Sequence, residues 1–420
     1  MPTSSAWSVI ETAALGDEAT LVRQLLTEAA LDTPARAAIT AAGADLVTRI
    51  RDSARPGLME VFLAEYGLST DEGIALMCLA EALLRVPDAE TMDALIEDKI
   101  APSDWGRHLG KSASSLVNAS TWALMLTGKV LDDAEGGITR HLRAAVKRLG
   151  EPVIRTAVSR AMKEMGRNFV LGETIDLAMD RATELEAKGY TYSYDMLGEA
   201  ARTEADARRY HLSYSRAITA IARAARGNDI RTNPGISVKL SALHPRYEVA
   251  KRARVMEELV PRVRALASLA KAAGLGFNID AEEADRLALS LEVIEATLSD
   301  PALKGWDGFG VVVQAYGRRA GAVIDWLYAL ASRLDRKIMI RLVKGAYWDA
   351  EVKRAQVLGL DGFPVFTRKQ STDVSYIANA RKLLQLTDRI YPQFATHNAH
   401  TVAAVLHMAE DMGRSPFDYE

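Results

Sequence analysis

From about residue 190 onward the chain alternates short β-rich runs with longer amphipathic ones, and this pattern constrains the fold more than any other. The β-rich runs fall at 190–197, 235–240, 276–280, 308–314, 337–344, 364–366 and 391–396, with helix-like stretches at 246–273, 283–297, 319–335 and 373–386. Parallel neighbours need a crossover of a dozen or more residues, which a helix supplies, so the alternation specifies βαβ units. Six or seven such units, with no dinucleotide fingerprint at the first turn, favour an α/β (β/α)8-type barrel over a doubly wound sheet. The run 364–366 is the weakest, being short and opening on a proline that has no N–H for a ladder. With it the barrel is one strand short of eight; without it, two short. Pro416-Phe417-Asp418-Tyr419-Glu420 reads as the opening of a further strand. The last one or two strands and the final helix are therefore expected beyond this chain. An unclosed barrel has open edges, so the isolated 1–420 polypeptide is expected to be poorly soluble or unfolded.

Before residue 190 the apolar period is helical, over roughly 20–50, 90–100, 113–126 and 153–188. Ser69-Thr70-Asp71-Glu72 has the spacing of a capping box, and it opens a run in which Cys78 reads as a packed core residue. Glu135-Gly136-Gly137 reads as a loop. The expected division is a helical arm at 1–50, a helical domain at 51–185 and the barrel at 186–420.

The 420 residues carry a formal net charge of −3, which leaves no basic excess to neutralise phosphates and argues against nucleic-acid binding. The single cysteine excludes an intrachain disulfide and a thiolate zinc cluster. No secretory signal and no long apolar run appear, so a cytoplasmic protein is expected.

Strand parity identifies a candidate site. Side chains alternate faces, and the polar parity ends on Lys239 in the second run, Asp280 in the third, Gln314 in the fourth, Arg341 in the fifth and His397 in the last. Strand ends meet solvent and carry polar groups in any case. Convergence of both charge signs from five strands on the catalytic end of a barrel is less ordinary. Other signals carry less. Gly106-Arg107-His108-Leu109-Gly110-Lys111-Ser112 is one residue short of a phosphate loop and follows no strand, so it reads as a turn into a helix. His397 and His400 lack the third ligand that zinc requires, and no metal is expected. Asp280, Glu282, Glu283 and Asp285 form an acidic cluster of which Asp280 faces the site. Lys239 and Lys344 at strand ends also suit Schiff-base chemistry, as in barrel lyases, and the residues alone leave open both that alternative and a non-catalytic truncated remnant.

Four segments carry a resemblance. They are Ile236-Ser237-Val238-Lys239-Leu240-Ser241-Ala242-Leu243-His244-Pro245-Arg246-Tyr247, Asn278-Ile279-Asp280-Ala281-Glu282-Glu283, Arg341-Leu342-Val343-Lys344-Gly345-Ala346-Tyr347-Trp348 and Ala395-Thr396-His397-Asn398-Ala399-His400. In order and spacing they resemble the proline dehydrogenase domain of bacterial bifunctional proline utilisation A (PutA) flavoproteins. The likeness reaches back through Leu116-Val117-Asn118-Ala119-Ser120-Thr121-Trp122 and covers the chain from about residue 50.

The resemblance implies FAD as cofactor and L-proline as substrate, with Lys239, Asp280 and Arg341 as catalytic residues. Arg341 would donate toward flavin N5. Val312, Gln314, Lys344, Gly345, Ala346, Thr367, Thr396, His397 and Asn398 would hold the ring and phosphates, and Trp348 would pack on the adenine. Asp195, Lys239 and Tyr347 would border proline, with Asp280 close to both ligands. The implied reaction is hydride transfer from proline C5 to the flavin, giving Δ1-pyrroline-5-carboxylate, with electrons passed to a quinone at the inner-membrane surface. Homo-oligomerisation is compatible with the resemblance. A ribbon-helix-helix repressor segment is not evident, and no repressor role is expected. The family's paired arginines that clamp the proline carboxylate, and its NAD-dependent aldehyde dehydrogenase half, are expected outside this chain.

Overall fold

The computed structural model describes residues 4–53, 91, 170–198, 200–227 and 229–420. It divides into two compact units, Met1–Asp52 with Ala182–Glu420, and Ser53–Arg181. The expected capping box at 69–72, Cys78, the turn at 106–112, the segment 116–122, the loop at 135–137 and the helices at 90–100 and 113–126 lie outside the described residues, Thr91 excepted.

In the first unit the alternation becomes a six-stranded sheet. Its strands are β1 (Ser193–Asp195), β2 (Gly235–Val238), β3 (Gly276–Ile279), β4 (Phe309–Gln314), β5 (Ile338–Val343) and β6 (Ile390–Phe394). All neighbours are parallel, and the spatial order is the chain order. A doubly wound sheet must reverse its order at a switch point; this one never does, which is the winding of a barrel. No closed barrel is formed among the described residues. At the outer edge of β6, Glu420 N donates to Pro392 O at 3.0 Å and Phe394 N to Glu420 O at 2.7 Å. These are the bonds of a parallel ladder, so Glu420 lies beside β6 as a residue of a further strand would.

Three helices form the arm: α1 (Ser4–Thr12), α2 (Glu18–Ala29) and α3 (Thr33–Ser53). A further helix is α4 (Ile175–Glu186). Those interleaved with the strands are α5 (Glu204–Ile221), α6 (Leu240–Leu243), α7 (Arg252–Ala272), α8 (Leu287–Leu298), α9 (Ala320–Arg333), α10 (Trp348–Leu358), α11 (Lys369–Gln385) and α12 (Ala399–Asp411). Local chemistry sets their ends. Thr203 and Asp206 exchange side-chain and backbone hydrogen bonds as a capping box that opens α5. Leu259, Val263, Leu266 and Ala270 recur at helical spacing on α7, and all are fully buried. Every residue of β2 and β3 is buried, as expected for strands covered on both faces.

The run 364–366 is not a strand of this sheet. β5 pairs directly with β6, so no position exists between them, and Val365 instead bridges Gly317 in antiparallel sense. Pro364 cannot donate to a ladder; its carbonyl accepts from Arg318 N at 3.2 Å. No helix among the described residues is long and apolar enough to cross a membrane.

Candidate active site

Lys239 follows the last residue of β2 and Asp280 the last of β3, so each leaves its strand at the carboxyl end. The Lys239 ammonium donates to Asp280 Oδ2 at 2.9 Å and to both oxygens of Asp195, on β1, at 2.9 and 3.1 Å. The Lys239 and Asp280 side chains are each 16% exposed, against 50% for Asp195. Burial by itself would lower the lysine pKa, but the Asp280 and Asp195 carboxylates outweigh it and hold the ammonium above the usual lysine range. Burial pushes the Asp280 carboxyl up, against the pull of Lys239. A lysine pinned between two carboxylates is a poor amine nucleophile, and Lys344 is likewise ion-paired, to Asp373. These contacts weigh against the Schiff-base reading.

Arg341 on β5 points into the concave face. Its Nη1 donates to Ser237 Oγ on β2 at 2.8 Å and its Nη2 to Ser193 Oγ on β1 at 2.9 Å. Sequence reasoning missed both serines. The signal was present, because Ser237 and Ser193 stand two residues before Lys239 and Asp195 and therefore share their strand parity. Val312 is the register partner of Arg341 on β4.

A second group gathers beyond β4 and β5. Gln314 donates from Nε2 to Glu282 O at 2.9 Å and accepts from Ala346 N at 3.2 Å, tying the loops after β3 and β5 together. Gly345 has φ of 139°, and a Cβ there would lie 2.4 Å from the Tyr316 ring. Tyr347 is the residue preceding α10. Trp348, 40% exposed, spends its only donor on Phe366 O at 2.8 Å, which leaves its ring faces as what it offers. Thr367 directs its backbone N–H and its hydroxyl at Glu18 of the arm, at 3.1 and 3.0 Å. Thr396 Oγ1 accepts from Asn398 N at 3.1 Å, and Asn398 caps α12 by accepting from Thr401 N at 3.0 Å; His397 is exposed beside them. Among the described residues no group of three or more histidine, cysteine or acidic side chains could hold a metal.

Beside this site the Glu282 carboxylate accepts from Ser241 N at 3.1 Å and from the Ser241 hydroxyl. Burial, partly offset by the Ser241 bond, pushes its carboxyl up to about 7. It lines a pocket with Tyr247, Gln314 and Arg319.

The residues present suit a flavin dinucleotide. Arg341 and Lys344 are cations near the ends of β5, an exposed indole offers a stacking face, and the start of α12 presents N–H groups to an anion.

A parallel sheet wound in one direction, with opposite charges meeting at the carboxyl ends of its strands, defines a barrel-type α/β protein of the kind that works at its strand ends. The chain belongs to the proline dehydrogenase family, whose model matches residues 178–420. A second model, described as the DNA-binding domain of proline dehydrogenase, matches residues 58–169, which lie outside the described residues save for Thr91. The expectation of no nucleic-acid contact, drawn from net charge, finds no support in that match. The bifunctional protein PutA of Salmonella typhimurium is 51% identical over 414 residues, covering 97% of this chain and 31% of that protein. The PutA of Rhizobium meliloti is 54% identical over 366 residues, covering 87% of this chain and 29% of that protein. A crystal structure of a Bradyrhizobium japonicum PutA mutant has a TM-score of 0.72 at 54% identity, covering 97% of this chain and 40% of that one. The chain thus spans about a third of the length of the curated relatives it matches.

Proposed function

We propose that this chain provides the proline dehydrogenase activity of a PutA-like bifunctional protein, oxidising L-proline to Δ1-pyrroline-5-carboxylate with FAD. The observation that carries the reading is the Asp195–Lys239–Asp280 cluster opening onto the same concave face as Arg341, within the segment that matches the family. The division into arm 1–50, helical domain 51–185 and barrel 186–420 belongs to the same proposal.

Flavin bound at the carboxyl ends of β4 to β6 would supply a two-electron acceptor for the proline C–H bond. Val312, Gln314, Arg341, Lys344, Gly345, Ala346, Thr396, His397 and Asn398 would hold it, with Trp348 against the adenine. Arg341, oriented by Ser237 and Ser193, presents fixed positive charge where an electron-rich ring is stabilised. Lys239 fixes Asp195 and Asp280 in one arrangement, and its charge keeps both carboxylates from repelling each other. Asp195 is the more exposed of the two carboxylates, so an entering ammonium would meet it first. Tyr347 closes the substrate side. The reading carries with it a quinone acceptor, a cytoplasmic location peripheral to the inner membrane, a homo-oligomeric assembly and an NAD-dependent aldehyde dehydrogenase half elsewhere in the protein.

The holoenzyme is expected to be yellow and to bleach when proline is added without air. Protein that stays colourless after reconstitution with FAD would refute the reading.

A further inference from the structure

One carboxylate of the arm binds the segment beside the candidate cofactor site. Glu18, the first residue of α2, accepts from Thr367 N and Thr367 Oγ1 and pairs with Arg318 Nη2 at 3.1 Å. Arg318 is buried, and its Nη1 also grips the arm backbone, donating to Gly16 O at 2.6 Å. On its other side the segment 364–367 is held by the loop after β4, where Phe366 N donates to Tyr316 O at 2.8 Å and Val365 bridges Gly317. The Phe366 side chain is buried against Leu25 and Ala29 of α2. Its carbonyl is the one that receives the Trp348 indole N–H. Arm, segment and indole thus form one continuous chain of contacts, with Glu18 as its charged link to Thr367.

We propose that Glu18 is a positioning residue for the adenosine end of the flavin dinucleotide, so that the arm is part of the cofactor site. The proposal rests on the reading above that FAD lies against Trp348. Glu18 acts through Thr367, on the segment from which Trp348 hangs. A half-buried carboxylate that accepts from Thr367 and pairs with a buried arginine resists displacement, because the Arg318 guanidinium would be left buried without its carboxylate.

The test is flavin titration of the apoprotein prepared from the holoenzyme, for wild type, Glu18→Ala and Glu18→Gln, with FAD and with FMN, which has no adenosine. Glu18→Ala is expected to weaken FAD binding roughly 10-fold or more while FMN affinity changes by less than about 2-fold. Glu18→Gln keeps an acceptor for Thr367 and is expected to fall between. Trp348 emission should shift in Glu18→Ala before any flavin is added. Equal losses for FAD and FMN would show that the arm supports the fold as a whole, and an unchanged FAD affinity would show that the contact is idle; either overturns the proposal. Wild-type apoprotein that binds neither flavin would instead sink the cofactor reading, and this proposal with it.

Discussion

Arg341 on β5 donates to Ser237 on β2 across 2.8 Å, although three strand spacings separate them in the sheet. Flat strands would put them roughly 14 Å apart, farther than an arginine side chain extends. The bond to Ser193 on β1 spans four spacings, about 19 Å if flat. The sheet must therefore curl with its site on the inside. A residue that reads locally as the polar end of one strand becomes the centre of the concave face.

The serines should matter through the arginine. Ser237→Ala removes one of two bonds that orient the guanidinium, a loss of about 1 kcal/mol. Proline-dependent flavin bleaching in stopped flow is expected to slow about fivefold, with FAD affinity intact. An unchanged rate would mean that Arg341 is oriented by other contacts.

Lys239→Met should be costly. It leaves Asp195 and Asp280 adjacent with no cation between them, and a broken buried pair costs about 3 kcal/mol. The holoenzyme is expected to melt several degrees lower and to lose proline oxidation. Asp280→Asn in the same background should recover part of the melting temperature, since it removes one uncompensated charge. No recovery would contradict the pairing.

Glu282 makes stability depend on pH. Its folded-state pKa, about 7, stands above the ordinary 4.5, so the folded protein holds a proton that the unfolded chain releases in that window. The stabilisation is full below pH 4.5 and is lost as pH rises through 7, at most about 1.4 kcal/mol per pH unit. Thermal melts of wild type and Glu282→Gln should diverge between these limits, with the wild type falling more steeply. Parallel curves would exclude the effect.

Gly345→Ala combines a strained φ of 139° with a Cβ 2.4 Å from the Tyr316 ring. The variant is expected to lose about 2 kcal/mol or more and to displace the Ala346 N–H from Gln314. Adding Tyr316→Leu should relieve the steric part alone, because the backbone angle persists. Full rescue by that second change would show that the conformation carries no strain.

Much of the barrel was legible along the chain. Period-2 runs ending on Lys239, Asp280, Gln314 and Arg341 specified parallel strands with a polar carboxyl end, because alternation of faces is a local property of extended backbone. The same logic failed at 364–366, where three extended residues look like a strand, but pairing is a matter of which edges are free. Lys239, Asp280, Gln314 and Arg341 were all found by parity. Ser193 and Ser237 went unnoticed because a small hydroxyl carries no signal until a donor is seen pointing at it.

What the sequence by itself determined is the order of elements and the kind of residue at each strand end; both follow from local sterics and side-chain periodicity. What only the tertiary structure decided is which of those ends meet. The curl of the sheet brings β5 to β1, and the docking of the arm brings Glu18 to Thr367 across nearly the whole length of the chain. Such contacts depend on long-range closure, whose geometry is set by the summed twist and packing of all the strands and helices between, and no local stretch of residues encodes it.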